Sequence, residues 1–312
     1  MIRICATFCL FTTPLLAETP QVVTDIAPIP SLTTQIMQGV GTPEMILPPG
    51  TDPHDFALRP SDAHRLSEAD VIIWVGKGLT PWLEESLDAL ASDTPRLELL
   101  ETDGWEKLAP REMSALSDDK HDEHDEHDEH DDEGGHNHSH GDIDPHAWQD
   151  PTIAAIWTTH IAKILSEADP ENAATYATNA QFVRNELAAL DIQIAARLSG
   201  FEGAYLLPHD GYQYFEHRYG IAPAGAVAGI DGRTPGPAQI VALRELMDEK
   251  GIVCVFHDLE ITERTTNVLI EGTSAKSVQL DGLGFSIAPG ANQYRALLTG
   301  MADSYTGCLT TD

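Results

Sequence analysis

The chain has 312 residues, with 18 lysines and arginines against 50 acids, a formal net charge of −32 and 42% apolar residues. A negative field of that size repels phosphate, so nucleic acid and anionic membrane surfaces are excluded as partners and cations are favoured. The length suits two domains, each with its own core.

Residues 1–17 hold one cation, Arg3, then an apolar run from Ile4 to Leu16 broken by Thr7, Thr12, Thr13 and Pro14, and end on Ala17. That layout predicts a cleavable secretory signal peptide, too short to span a bilayer, and hence a periplasmic protein. Cys5 and Cys9 would leave with it. Cys254 and Cys308 remain, and two thiols in an oxidising compartment most often pair, the alternative being two free buried thiols.

From Gln21 onward short β-branched runs alternate with amphipathic segments. Strands are predicted at Gln21–Ile26, Glu44–Leu47 and Val71–Val75, and helices at Ser31–Val40, from an N-cap at Ser61 to Glu68, and from Pro81. This βα alternation implies a parallel sheet covered by helices. The segment 117–141 has no apolar residue and is predicted to be a disordered loop inside the first lobe, which spans 18–168. A connecting helix is predicted at 169–199, with Tyr176, Phe182, Val183, Leu187, Leu190, Ile194 and Leu198 recurring at helical spacing. A second α/β lobe fills 200–312, with strands at Ala204–Leu207, Ala224–Val227, Ile252–Phe256 and Ser277–Leu280. Its helices are predicted at Tyr212–Tyr219, Pro237–Lys250, Thr262–Glu271 and Ala291–Met301. The expected fold is α/β: two lobes of mainly parallel sheet flanked by helices and joined by one long rigid helix.

Half of the 14 histidines, His121, His124, His127, His130, His136, His138 and His140, lie in the acidic segment, among Asp and Glu that also ligate divalent metals. They are expected to capture, concentrate or sense the metal, the bland alternative being a solvated acidic loop. Three more histidines follow a proline in loops: Pro53-His54, Pro145-His146 and Pro208-His209. Proline fixes the local backbone and restricts where the next imidazole points. His209 and Asp281 each come just after a predicted strand, where ligands bind in open α/β sheets. His54, His146, His209 and Asp281 are therefore the candidate metal ligands, a set that suits tetrahedral zinc with water as the alternative fourth ligand. His64, His160 and His217 fall in helical patterns and are read as ordinary surface or core groups. His257, beside Asp258 after a strand, is a candidate supporting group or alternative ligand.

The segments Pro48-Pro49-Gly50-Thr51-Asp52-Pro53-His54-Asp55-Phe56, Arg59-Pro60-Ser61-Asp62, Asp144-Pro145-His146-Ala147-Trp148 and Pro208-His209-Asp210-Gly211-Tyr212-Gln213-Tyr214-Phe215 resemble the cluster A-I metal-binding proteins of ABC importers. The histidine-acid segment makes the chain most similar to their ZnuA-type zinc-binding subgroup. The resemblance implies two α/β lobes on a rigid helix, Zn2+ held at His54, His146 and His209, and delivery to an ABC permease of the inner membrane. It also implies a disulfide between Cys254 and Cys308. Some zinc-type members carry a glutamate immediately before the first histidine; here Pro53 stands there, which leaves Asp281 or water as the fourth ligand. Manganese-type relatives carry a carboxylate where His209 stands, so three imidazoles favour zinc. A monomer is expected, with a periplasmic zinc chaperone as a further partner. Two rival readings are a zinc hydrolase with Glu260, Glu263 or Asp210 as general base, and a stand-alone periplasmic zinc buffer. No HExxH pair or nucleophile elbow supports the hydrolase.

Overall fold

The computed structural model describes residues 19–111, 113 and 142–309. The predicted signal peptide and loop 117–141, with its seven histidines, lie outside the described residues. Among the described residues the strands form two four-stranded parallel sheets. The first is ordered β2-β1-β3-β4, from β1 (Val22–Thr24), β2 (Glu44–Met45), β3 (Val71–Trp74) and β4 (Arg96–Glu98). The second is ordered β6-β5-β7-β8, from β5 (Tyr205–His209), β6 (Gly225–Ala228), β7 (Cys254–His257) and β8 (Lys276–Gln279). Both sheets thus place their first strand between their second and third. The fold class read from the sequence is the observed one.

The central strands are buried on both faces, which explains their continuous apolar runs. In β3, Val71 and Ile73 enter a core shared by the lobes, while Ile72 and Trp74 turn outward to meet α2 (Pro60–Ser67) and α3 (Pro81–Leu90). In the second lobe, Tyr205, Leu207, Cys254 and Phe256 join the shared core. Leu206 and Val255 pack outward against α7 (Pro237–Lys250) and α8 (Glu263–Ile270). The shared core is filled from α1 (Pro28–Ile36), α4 (Pro151–Ala168), α5 (Ala173–Leu198) and α9 (Gln293–Leu309). Each Leu or Ile buried there contributes roughly 1.5–3 kcal/mol.

The connecting helix α5 has 26 residues and buries Tyr176, Ala180, Val183, Leu187, Leu190, Ile194 and Leu198 in one stripe. Phe182, assigned to that stripe from spacing, faces out and is 61% exposed. It sits one residue before Val183, about 100° round the helix from the buried face. α5 packs on α1, α4 and α9, so it runs along both lobes rather than bridging a gap between them.

Other differences from the sequence reading have local causes. Helix α2 is capped by Arg59, not Ser61: Pro60 takes the first helical position and Asp62 accepts the Arg59 N–H at 3.2 Å. Strand β4 carries little sequence signal because Arg96-Leu97-Glu98 is a half-exposed edge with charges at both ends. Helix α9 continues eight residues past Met301 despite Gly300 and Gly307. Packing of Tyr305 against Tyr205, Phe215 and Phe256 overrides that weak propensity. Strand β5 runs two residues past Leu207 because β6 continues pairing to His209, and Pro208 falls where pairing with β7 has ended.

Candidate metal centre

The first lobe presents its histidines by one local device used twice. In Asp52-Pro53-His54 and Asp144-Pro145-His146, the aspartate Oδ1 accepts the N–H of the histidine two residues on, at 2.8 and 3.0 Å. This is the turn that Asx side chains favour, and the intervening proline stiffens it. Trp82 Nε1 donates to Pro53 O at 2.8 Å, tying the first turn to α3. Asp144 Oδ1 also takes His146 Nδ1 at 2.8 Å. That partner assigns the proton to Nδ1 and leaves the Nε2 lone pair to coordinate.

The second lobe uses a device that spans its sheet. His209 ends β5, and its Nδ1 meets Asp258 Oδ2 at 2.7 Å and Glu260 Oε2 at 3.4 Å, both just beyond β7. Asp258 is itself fixed: Oδ1 accepts the N–H groups of Glu260 and Ile261 at 3.0 and 2.8 Å, and Oδ2 accepts Tyr212 OH at 3.1 Å. Burial alone pushes the His209 pKa down, but the carboxylates of Glu260 and Asp258 outweigh it and raise it to about 10. Burial pushes Glu260 up to about 7 against the pull of His209.

The imidazoles converge between the lobes. Ring centroids of His54 and His146 are 5.6 Å apart, and those of His146 and His209 are 5.4 Å apart. Imidazoles bound through nitrogens at about 2.1 Å on a tetrahedral ion hold their centroids roughly 5 Å apart, so each of these two spacings is close to that of a pair sharing an ion. His209 Nε2 is buried with no hydrogen-bond partner. A Cβ on Gly211 would overlap that atom and lie 2.9 Å from His146 Nε2, so both nitrogens face the same small space beside a residue without a side chain. The cavity there is lined by residues of both lobes, among them Pro53, His146, His209, Tyr212, Glu260 and Gly282.

His54 is not among the residues lining that cavity, and neither is Asp281. Its Oδ1 accepts the N–H groups of Leu283, Gly284 and Phe285 at 3.2, 2.6 and 3.2 Å, and Oδ2 accepts Ser286 N and Oγ at 2.9 and 2.7 Å. With its lone pairs so engaged, it acts as the staple of the 281–286 loop. His257 turns to the opposite face of β7, where Nδ1 meets Ser277 Oγ at 3.0 Å and burial lowers its pKa. His64 and His217 are exposed on α2 and on α6 (Gln213–Tyr219), and His160 is half-buried on α4. Of the bases considered for a hydrolase, Asp210 is ion-paired to Arg111 at 2.6 Å and Glu263 is exposed in the first turn of α8. Glu260 lines the cavity, with Oε2 3.4 Å from His209 Nδ1.

Among the described residues His209, Asp258 and Glu260 form a group of potential donors, with one ligand atom of each within 4.8 Å of the others. Sequence reasoning gave no supporting role to Asp52, Asp144, Asp258 or Gly211. For the first two a signal was present, the repeated Asp-x-His spacing. Nothing local marks Asp258, which is 49 residues from its histidine. Cys254 and Cys308 form a disulfide with Cα atoms 5.9 Å apart, joining the start of β7 to the end of α9.

The fold and this site define a two-lobed solute-binding protein with an imidazole-lined cleft. The chain belongs to the family described as zinc-uptake complex component A, periplasmic (ZnuA), whose model matches residues 22–308. That family is one of binding proteins, not enzymes. The chain is 38% identical over 309 residues to the high-affinity zinc uptake system protein ZnuA of Paracoccus denitrificans, covering 96% of this chain and 94% of that one. It is 30% identical over 300 residues to the protein of that name from Yersinia pestis, covering 92% and 91%. Among solved structures, the periplasmic zinc-binding protein TroA from Treponema pallidum superposes with a TM-score of 0.78 at 18% identity, covering 94% of this chain and all of that one. A zinc-bound ZnuA deletion mutant superposes with a TM-score of 0.74 at 20% identity, covering 95% and 100%. At those identities the likeness is one of fold.

Proposed function

We propose that this protein captures Zn2+ in the interlobe cleft and delivers it to an ABC permease for import. The observation that carries the reading is the approach of His54 and of His209 to His146 at the spacing a shared tetrahedral ion would give, with His146 and His209 each held at Nδ1 by a carboxylate. A carboxylate behind an imidazole orients the ring and raises its basicity toward the metal. Water fills the fourth position, because the oxygens of Asp281 already serve the 281–286 loop. The protein acts in the periplasm, reached through the signal peptide of residues 1–17, and works as a monomer.

The ion exchanges its waters for three imidazoles and displaces the protons they carry. α5 packs along both lobes, so release follows a small shift between them on docking rather than a wide hinge motion. The histidine-acid segment adds weak auxiliary zinc sites. A variant lacking residues 118–141 then binds fewer zinc ions than the full chain; an unchanged stoichiometry removes that role. The main reading is tested by isothermal titration of metal-free protein with Zn2+. It expects one tight site that is lost in His146→Ala and in His209→Ala with the fold intact, and tight binding retained in both refutes it. Passage to a periplasmic zinc chaperone is a second outlet for the same cargo. A protein that never docks on a permease would be a buffer, and import by cells lacking the gene separates the two. Hydrolysis is disfavoured by the pairing of Asp210 with Arg111 and the exposure of Glu263 in the first turn of α8, and Glu260 lies beside His209 Nδ1.

A further inference from the structure

Zinc binding in a cleft needs its two walls in register, and the structure shows where that register is set. Arg111 belongs to the first lobe, but its guanidinium lies against the second. Nε donates to Asp210 Oδ1 at 2.6 Å and Nη2 to Glu216 Oε2 at 2.5 Å. Asp210 directly follows His209, and Glu216 sits in α6, where its Oε1 accepts Tyr205 OH at 2.8 Å. Both carboxylates are almost wholly buried, with side chains 3% and 2% exposed. Burial pushes Glu216 up to about 7 and Asp210 upward, in each case against the pull of Arg111.

The same stretch of chain is sewn to α6 at three further points. Trp105 packs edge-on to Tyr214 at 6.0 Å, and Leu108 N donates to Tyr214 OH at 2.9 Å. With its amide nitrogen turned to donate, Gln213 reaches Ala109 O at 3.2 Å and Asp144 Oδ2 at 2.9 Å. Asp144 is the carboxylate that holds His146 Nδ1. One seam therefore touches the residue after His209 on one side and the support of His146 on the other. A guanidinium suits the task because its planar fork bonds two acids in fixed directions, which an ammonium does not.

We propose that Arg111 is a positioning residue for zinc: by clasping Asp210 and Glu216 across the lobe boundary it fixes His209 opposite His146, so that both Nε2 atoms meet one ion. The inference rests on the zinc reading given above and adds to it a residue that touches no metal.

The test uses the full chain, with zinc affinity by chelator competition, thermal melts of the metal-free form, and X-ray absorption to count imidazoles on the bound zinc. Arg111→Gln is expected to weaken zinc binding at least about tenfold, the scale seen when a group supporting a ligand is lost, and to lower the imidazole count. Arg111→Lys recovers part of the affinity. The double variant Arg111→Gln/Glu216→Gln removes one of the two buried carboxylates left without their cation; it is expected to recover part of the melting temperature without recovering zinc affinity. If Arg111→Gln binds zinc like the native protein with three imidazoles, or if the double variant recovers affinity together with stability, Arg111 is only structural and the proposal fails. Should Arg111→Gln not fold, the double variant decides alone. Native protein that binds no zinc is a separate result and overturns the zinc reading instead.

Discussion

The two lobes share a strand order and differ in how they hold an imidazole. The first lobe supports His146 from two residues away, through Asp144. The second supports His209 through Asp258, brought from 49 residues away by the pairing of β5 with β7. Support in the first lobe is thus a property of a tripeptide, whereas in the second it depends on an intact sheet. The second lobe also carries the Cys254–Cys308 disulfide, which ties β7 to α9. The histidine that depends on long-range structure sits in the lobe with the covalent brace.

The largest effect expected is from removing an imidazole. His146→Ala and His209→Ala each lower zinc affinity by at least about 100-fold, beyond the 10- to 100-fold typical of losing a supporting group, as read by chelator competition. Supporting carboxylates come next and sharpen the comparison. Asp144→Asn and Asp258→Asn each cost about 10- to 100-fold in affinity. Asp258→Asn is also expected to lower the melting temperature more, because Asp258 holds Tyr212 and two backbone N–H groups besides His209. Equal melts for the two variants would break the contrast between local and sheet-borne support.

Removing the disulfide by Cys254→Ser/Cys308→Ser closes no loop in the unfolded chain and is expected to cost about 4 kcal/mol on the chain-entropy account. In urea unfolding the second lobe then loses its structure at lower denaturant than the first.

A buried acid in the first lobe gives a pH-dependent counterpart. Asp25 is fully buried, accepts Val75 N at 2.7 Å through Oδ2, and is pushed by burial from 3.8 to about 7. Since its folded pKa lies above the unfolded one, its contribution to stability is present in full below about pH 4 and is lost as pH rises through about 7. Asp25→Asn should therefore gain on the wild type between pH 5 and pH 8, by on the order of 2 kcal/mol, in metal-free urea melts. A difference that does not change with pH contradicts this. The smallest effect is expected at Arg96→Gln, which breaks an exposed ion pair with Asp88 at 2.7 Å and should shift stability by less than about 0.5 kcal/mol.

What could be read from the sequence follows the same division. Continuous apolar runs such as Val71–Trp74 mark strands buried on both faces, and Pro at helix starts marks α3 and α7, so the two-lobe α/β plan was legible. The Asp-Pro-His turns at His54 and His146 carry a signal in the sequence because their hydrogen bonds are local. Asp258, Arg111 and the role of Gly211 were not legible, since each acts on a partner brought near only by folding. Asp281 shows the converse: its place after a strand is real, but its oxygens serve the loop that follows, and an Asp-Gly pair looks the same from sequence in either role. Phe182 shows that apolar residues near a helical stripe do not always belong to it.

The most direct test of the account is X-ray absorption on the zinc-loaded full chain, read for the number and type of ligands. The account predicts three imidazole nitrogens at about 2.0–2.1 Å and one light oxygen ligand, with one imidazole lost in His209→Ala. A shell of one imidazole and two carboxylates, as His209 Nδ1, Asp258 and Glu260 would supply, would contradict it.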